Sequence, residues 1–314
     1  MLGGKVAADL LRRRRRGSDL KVGLVVVHHE VAEEQGVPGR DVVPAQSKSI
    51  FEGQLEHLRR HYEVVPLGEL IARAEARTGG DRVPVALTFD DDLSSHESLV
   101  APLLEQFGFP ATFFLNANTL QGPSPFWWQD LQAIADRGPA EWDRMQRELA
   151  KDWPWAALNG GVTQLANTIE ATPPDQRDAV SARLRELAGS EIHDVGLPPA
   201  AVKNLTGAGF EIGVHTLRHY SLPTLDSKRL DEAMTEGVDA LEQVVGYRPT
   251  AIGYPHGKAD LRVAEAASRT GFELGAICAH GPAHPDQHPL LIDRITGWTD
   301  SVASFAWALS RLTR

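Results

Sequence analysis

Cysteine is almost missing from this sequence. The one at Cys278 has no partner, so no disulfide within the chain can hold the fold together. It lies in the apolar stretch 274–279 and reads as a buried structural thiol rather than a nucleophile. An excess of positive charge is missing too: the formal net charge of −10 argues against a general nucleic-acid binder. No segment approaches the roughly 20 consecutive apolar residues of a membrane span. The basic residues near the start are not followed by an apolar stretch and a cleavage site, so no secretory signal is visible and a cytoplasmic protein is expected. Internal repeats and long low-complexity tracts are absent. Residues 1–20 form a basic segment with five consecutive arginines, Arg12, Arg13, Arg14, Arg15 and Arg16. Such a run reads first as a solvated end. It would also suit weak peripheral contact with anionic lipid, at about 1 kcal/mol per basic residue near the surface.

What is present is an ordinary globular composition over 314 residues, enough for one large α/β domain or two small ones. Apolar strand-like runs alternate with helical patterns. Strands are expected at 22–27, 83–89, 111–115, 211–214, 251–254, 274–278 and 290–295. Helices are expected at 47–62, 95–106, 227–245, 261–270 and 302–312. Repeated strand-then-helix order implies a mostly parallel sheet with helices outside. Six or seven such units suggest a closed or nearly closed barrel spanning 21–314, whose active groups gather at the C-terminal ends of the strands. Residues 119–197 interrupt this pattern and carry five of the seven tryptophans: Trp127, Trp128, Trp142, Trp153 and Trp155. Helices are expected there over 128–150 and 174–188, forming an appended subdomain with its own small core, a lid or substrate platform whose aromatic rings stack on sugars, or both.

Two motifs carry chemistry. Thr88-Phe89-Asp90-Asp91-Asp92 ends an apolar run and delivers carboxylates at a strand tip. His215-Thr216-Leu217-Arg218-His219 follows another strand, and on one turn of helix its two imidazoles would share a face. Two His and one Asp could hold a metal and leave positions open for water and substrate. Taken singly, an Asp run is often a solvated turn and a His pair a surface accident. Together, each after a strand, they favour a metal site.

These two motifs, followed by Tyr254-Pro255-His256-Gly257, resemble the polysaccharide deacetylase family, also known as the NodB-homology domain or carbohydrate esterase family four. The similarity runs from about Val22 to Ile295, interrupted by the central segment. The run Leu24-Val25-Val26-Val27 leading into His28-His29-Glu30-Val31 resembles the Tyr-His-x-Val strand that opens the biofilm-type branch, as does the stretch from Phe51 to Leu70. The resemblance implies a distorted (β/α) barrel of about seven strands. It also implies one divalent metal ion, zinc first and cobalt, nickel or iron as alternatives, held by Asp91, His215 and His219. Asp90 would be the general base. The family's late Leu-x-His acid has no counterpart near residues 290–296, so the biofilm-type match makes His29 the acid, with His28 in place of the family's Tyr. Adjacent strand residues face apart, so only one of the two should enter the site.

The resemblance also locates departures. Many members carry an Arg two residues before the Pro that orients the base; here that position is Gly253, and Arg294 resembles a late Arg able to take over. Asp92 stands where the family usually has Gly, at a turn that Asp tolerates better than most residues. There it could recognise a substrate or alter metal choice, and His96 could border the pocket. Tyr254, Pro255 and His256 would form a wall of the site, with a main-chain N–H holding the oxyanion. Trp127 and Trp128 could stack on sugar rings. The implied activity is removal of an N-acetyl group from an amino sugar, an oligosaccharide or a glycan precursor, or from a small amide. Two rivals stand beside it: a cyclic-imide or ureide hydrolase resembling allantoinase-like members, which would need a tight closed pocket, and a catalytically silent carbohydrate-binding protein, which need not keep every ligand.

Overall fold

The computed structural model describes residues 20–122, 124, 126–157, 160–189 and 196–312. The five arginines at 12–16 lie outside the described residues. The sheet is built from β1 (Leu24–His28), β2 (Pro84–Asp90), β3 (Thr112–Leu115), β4 (Glu211–Val214), β5 (Ala251–Gly253), β6 (Leu274–Ile277), β7 (Ile292–Asp293) and β8 (Ile295–Thr296). Along the sheet the order is β7, β6, β5, β4, β3, β2, β1, β8, and every pairing is parallel. Only Arg294 separates β7 at one edge from β8 at the other. The eight segments therefore form a nearly closed barrel of seven staves, with the last stave interrupted at its functional residue. A short strand, Glu63–Val64, pairs with the start of β2 outside this path.

All seven residues of β2 are buried, as expected of a strand covered on both faces. Outside the barrel, Leu24, Leu87, Phe89 and Phe113 belong to the main core with residues of the surrounding helices, and Phe51 of helix Lys48–His61 meets Phe89 edge-on. Inside, Val25, Ala86, Phe114, Ala251 and Ala276 form a small core dominated by Phe114. A Cβ at Gly213 or Gly253 would lie 2.5 or 2.8 Å from Phe114, so the flanking staves approach the ring closely only because they carry glycine.

Three helices expected from periodicity are built differently. The stretch 227–245 is two helices, Ser227–Thr235 and Val238–Val245, because Gly237 takes φ 80° against Ala117. The stretch 128–150 is likewise divided into Trp127–Asp136 and Pro139–Ala150, with Pro139 opening the second helix. The stretch 95–106 begins as a wide π turn, His96–Val100, and continues as Ala101–Phe107.

The central segment adds two more helices, Val162–Glu170 and Pro174–Ala188. Leu131, Ile134, Met145, Leu149, Leu165, Ile169, Val180 and Leu184 form its own core, with Trp142, Trp153 and Trp155 packed at the margin. Val42 and Val43, from the loop after β1, join that core. The Val42 N–H donates to Gln132 Oε1 at 2.8 Å, so loop and insertion meet over the barrel mouth.

Candidate metal centre and active site

Parallel staves bring their C-terminal ends to one rim, and the expected residues meet there. Asp90 ends β2, and the chain turns at Asp91 with φ 75°. The unusual backbone thus falls on Asp91, one residue earlier than the family comparison placed it. His215 follows β4, anchored by its N–H to Leu115 O at 2.8 Å. The segment from His215 to His219 is a loop, not a helical turn: Thr216 and His219 have φ 56° and 49°. Asn116 Nδ2 donates to the carbonyls of His215 and Thr216 at 3.1 and 2.9 Å, shaping that loop. The rings still converge, with centroids 4.9 Å apart.

The ligating atoms of Asp91, His215 and His219 lie within 4.8 Å of one another. His215 Nε2 and His219 Nε2 are each 3.7 Å from Asp91 Oδ1. Tetrahedral bonds of about 2.1 Å would set ligand atoms roughly 3.4 Å apart, so a small contraction would suit a metal ion. Two further observations fit. Asp91 Oδ1 is buried with no hydrogen-bond partner. His215 Nδ1 is 2.6 Å from Gly253 O, which places the proton on Nδ1 and leaves Nε2 as a free lone pair. Burial, followed by the charges of Asp90 and Asp92, raises the Asp91 pKa well above the carboxylate range, a penalty a cation would reverse. Burial also lowers His215, to about 4, keeping it neutral as a ligand must be.

Arg294 donates to both oxygens of Asp90, at 2.7 and 2.8 Å, from a fully buried position. Burial alone would raise Asp90; Arg294, then His215, outweigh it and bring the carboxyl to about 2. The guanidinium also lies over Phe114, 5.5 Å from the ring centroid. Phe114 occupies the space a side chain at 253 would need, so an Arg from the interrupted last stave orients the carboxylate instead.

His29 lines a cavity with Asp91, His219 and His256. Burial lowers its pKa, and Asp90 opposes that shift. His28 faces away, stacked on Phe89 and edge-on to Phe51, and burial takes it to about 3. Trp127 and Trp128 line the same cavity, and the Trp128 ring centroid is 4.9 Å from that of His219. His256, with φ 58°, stands 4.4 Å from His219 between ring centroids.

Four expected placements are corrected. Asp92 does not line the pocket. Its carboxylate accepts from the N–H groups of Asn116 and Asn118 at 2.8 and 3.1 Å, so it ties down the loop after β3, and burial raises it to about 6. Tyr254 turns its fully buried ring into the core, and its N–H is spent on Ala276 O at 3.0 Å. Pro255 is likewise buried, so the wall is made by His256. His96 packs behind the site against Phe89 and Phe113, with Nε2 3.3 Å from His29 O.

Sequence reasoning missed two residues of the insertion. Arg177 donates to the carbonyls of His219, at 2.7 Å, and Arg218, holding the loop that carries one candidate ligand. Glu170 brings Oε1 to 2.8 Å from His256 Nε2. A repeating basic or acidic pattern would have flagged such residues, but each is isolated in sequence and acts through the tertiary fold.

A parallel barrel with one Asp-His-His cluster and a clamped carboxylate at its strand ends defines a hydrolase-like class of barrel. Within that class the chain belongs to the polysaccharide deacetylase family, whose model matches residues 78–146 and 176–275. A putative polysaccharide deacetylase of Bacillus subtilis, YxkH, is 24% identical over 129 residues, 41% of this chain. That match spans 46% of the relative, so the chain covers under half of it. In fold the chain is similar to Streptococcus pyogenes deacetylase PplD in complex with acetate, at TM-score 0.61 and 15% identity over 93% of this chain and 98% of that one. It is also similar to IcaB from Ammonifex degensii, at TM-score 0.55 and 17% identity over 91% and 97%.

Proposed function

We propose that this protein is a metal-dependent hydrolase that removes the N-acetyl group from an amino sugar within a saccharide or glycan precursor. The observation that carries the reading is the pairing of the Asp91, His215 and His219 cluster with an Asp90 held by Arg294. Bound there, a divalent ion, zinc by the chemistry of two imidazoles and a carboxylate, would supply a Lewis acid and lower the pKa of water.

The residues of the chain then divide the work. Asp90 is ionised and oriented, ready to accept a proton from the attacking water. At a pKa of about 2 it is a weak base, so it suits only a water already acidified. His29, across the cavity, would protonate the leaving nitrogen. In the loop after β5, the N–H groups of Tyr254, Gly257 and Lys258 are engaged and Pro255 has none. Between Tyr254 and Lys258 that leaves the His256 N–H, on a residue that lines the cavity, as the candidate for stabilising the oxyanion.

The cavity at the cluster, about 180 Å³, shares Trp127, Trp128 and His219 with a second of about 430 Å³. Room beyond one small ring favours a saccharide over a cyclic ureide, and the complete cluster favours an enzyme over a silent binder. The test is Asp90→Asn assayed for acetate release from N-acetylglucosamine oligomers. Retained metal with turnover reduced on the order of 10²-fold or more is expected. Lost metal with partial activity would mean the two aspartates have exchanged roles.

A further inference from the structure

The insertion places over the candidate metal centre several polar atoms without a hydrogen-bond partner among the described residues. Thr163, Ala166, Asn167 and Glu170 fall at helical spacings of three and four, and all four line the 180 Å³ cavity. Trp127 lines it as well. Trp127 Nε1, Thr163 Oγ1 and both Glu170 carboxylate oxygens are buried without a hydrogen-bond partner. The 2.8 Å approach of Glu170 to His256 Nε2 is off the line of a hydrogen bond and leaves both atoms unsatisfied. Trp127 is only 9% exposed, so its indole N–H is hard for bulk water to reach. Buried polar atoms without partners are rare in folded proteins, and a cluster of them around one cavity calls for a ligand rich in hydroxyls.

Resting on the deacetylase reading above, we propose that helix Val162–Glu170 is the sugar-recognising face of the site. It would hold the ring hydroxyls of the N-acetylated residue, with Trp127 Nε1 donating to one oxygen and Glu170 accepting from a hydroxyl. Thr163 and Asn167 can each donate and accept, and so complete the set. Their arrangement fits a pyranose with free hydroxyls beside the acetamido group. A carboxylate at this position also disfavours a ring that carries an acidic ether there, because two anions would share a small, partly buried space. The substrate class is therefore an uncharged N-acetylhexosamine unit rather than an acidic, lactyl-substituted one.

The experiment compares the metal-loaded full chain with Glu170→Gln and Thr163→Val on three substrates: N-acetylglucosamine oligomers, a 3-O-lactyl N-acetylglucosamine glycan, and an activated aryl acetate without a sugar. Glu170→Gln is expected to raise KM for the oligomers by roughly 10- to 100-fold, as for loss of a hydrogen bond to a charged group, with kcat changed much less. It should also narrow the preference for the uncharged over the lactyl-bearing glycan. Thr163→Val, nearly isosteric, should raise the oligomer KM by a smaller factor. Equal losses on oligomers and aryl acetate would overturn the proposal, since Glu170 would then act on the reaction through His256. Unchanged kinetics in both variants would also overturn it, leaving these groups merely hydrated. Wild-type turnover of aryl acetate but no glycan would defeat the sugar-recognising face while sparing the hydrolytic centre. Wild-type failure on all three substrates would instead defeat the deacetylase reading itself.

Discussion

Asp90 and His29 divide the proposed proton traffic, and their surroundings set what each can do. Asp90 is clamped on both oxygens, so its role is orientation as much as basicity. Among the described residues His29 has no such clamp, which suits a residue that must deliver its proton. His29→Ala should keep its metal, lose kcat on amides, and alter the basic-side limb of the pH–rate profile. The loss should be smaller on an activated aryl acetate, whose leaving group needs less protonation. Equal losses on both substrates would remove the acid role. At this scale residue type and strand position were enough to bring Asp90, Asp91, His215 and His219 to one rim and to turn His28 away from it. Asp92 and Tyr254 were misread because adjacency to a motif says nothing of side-chain direction. The Asp92 carboxylate was claimed by two backbone N–H groups 24 and 26 residues away.

Among the elements, the insertion both packs a core of its own and lines the cavity at the candidate metal centre. Its tryptophans divide accordingly: Trp142, Trp153 and Trp155 pack at the margin of the local core, whereas Trp127 and Trp128 belong to that core and also line the cavity. Arg177, 5% exposed, ties helix Pro174–Ala188 to the loop that presents His219 in a left-handed conformation. Such a backbone costs on the order of 1–2 kcal/mol for a residue with a Cβ, and it persists only where neighbours hold it. Arg177→Met should therefore weaken metal affinity by roughly 10- to 100-fold, the range for losing a group that orients a ligand. Equilibrium dialysis with zinc, with circular dichroism as a check on folding, measures this. Unaltered affinity in a folded variant would confine Arg177 to packing. Periodicity found the helices that pack a face but not their breaks at Gly237 and Gly138. Nor did it find helix Val162–Glu170, whose cavity-facing side is polar.

For the whole molecule, the barrel was legible because its strands are apolar throughout and alternate with helices. Closure was less so, since the last stave is broken at Arg294 and no local pattern marks a residue that joins two edges of a sheet. Burial of so many titratable groups has a consequence for acid stability. Burial lowers His28, to about 3, and His96, to about 4, both of which face away from the cavity, whereas it raises Asp92 and Asp130. Each lowered histidine stays neutral in the fold while its unfolded counterpart takes up a proton below about pH 6.5. Its stability is present above that pH and is lost on acidification. The raised carboxylates act in the opposite sense, Asp92 only between about pH 6 and about 4, whereas both histidines act from about 6.5 down to about 4. Stability of the metal-loaded protein should fall as pH drops from about 6.5 to about 4, by roughly 1.4 kcal/mol per pH unit for each net proton. His96→Asn should make that slope shallower. Urea midpoints at stepped pH measure it, and an identical slope in the variant would show that His96 titrates alike in both states.

The most direct test of the central claim is acetate release from N-acetylglucosamine oligomers, measured on protein stripped with a chelator and then titrated with zinc. The account predicts no turnover in the stripped protein and recovery at stoichiometric zinc. His219→Ala should show neither tight zinc binding nor recovery. Full turnover by protein free of metal, or zinc bound as tightly after His219 is removed, would contradict it.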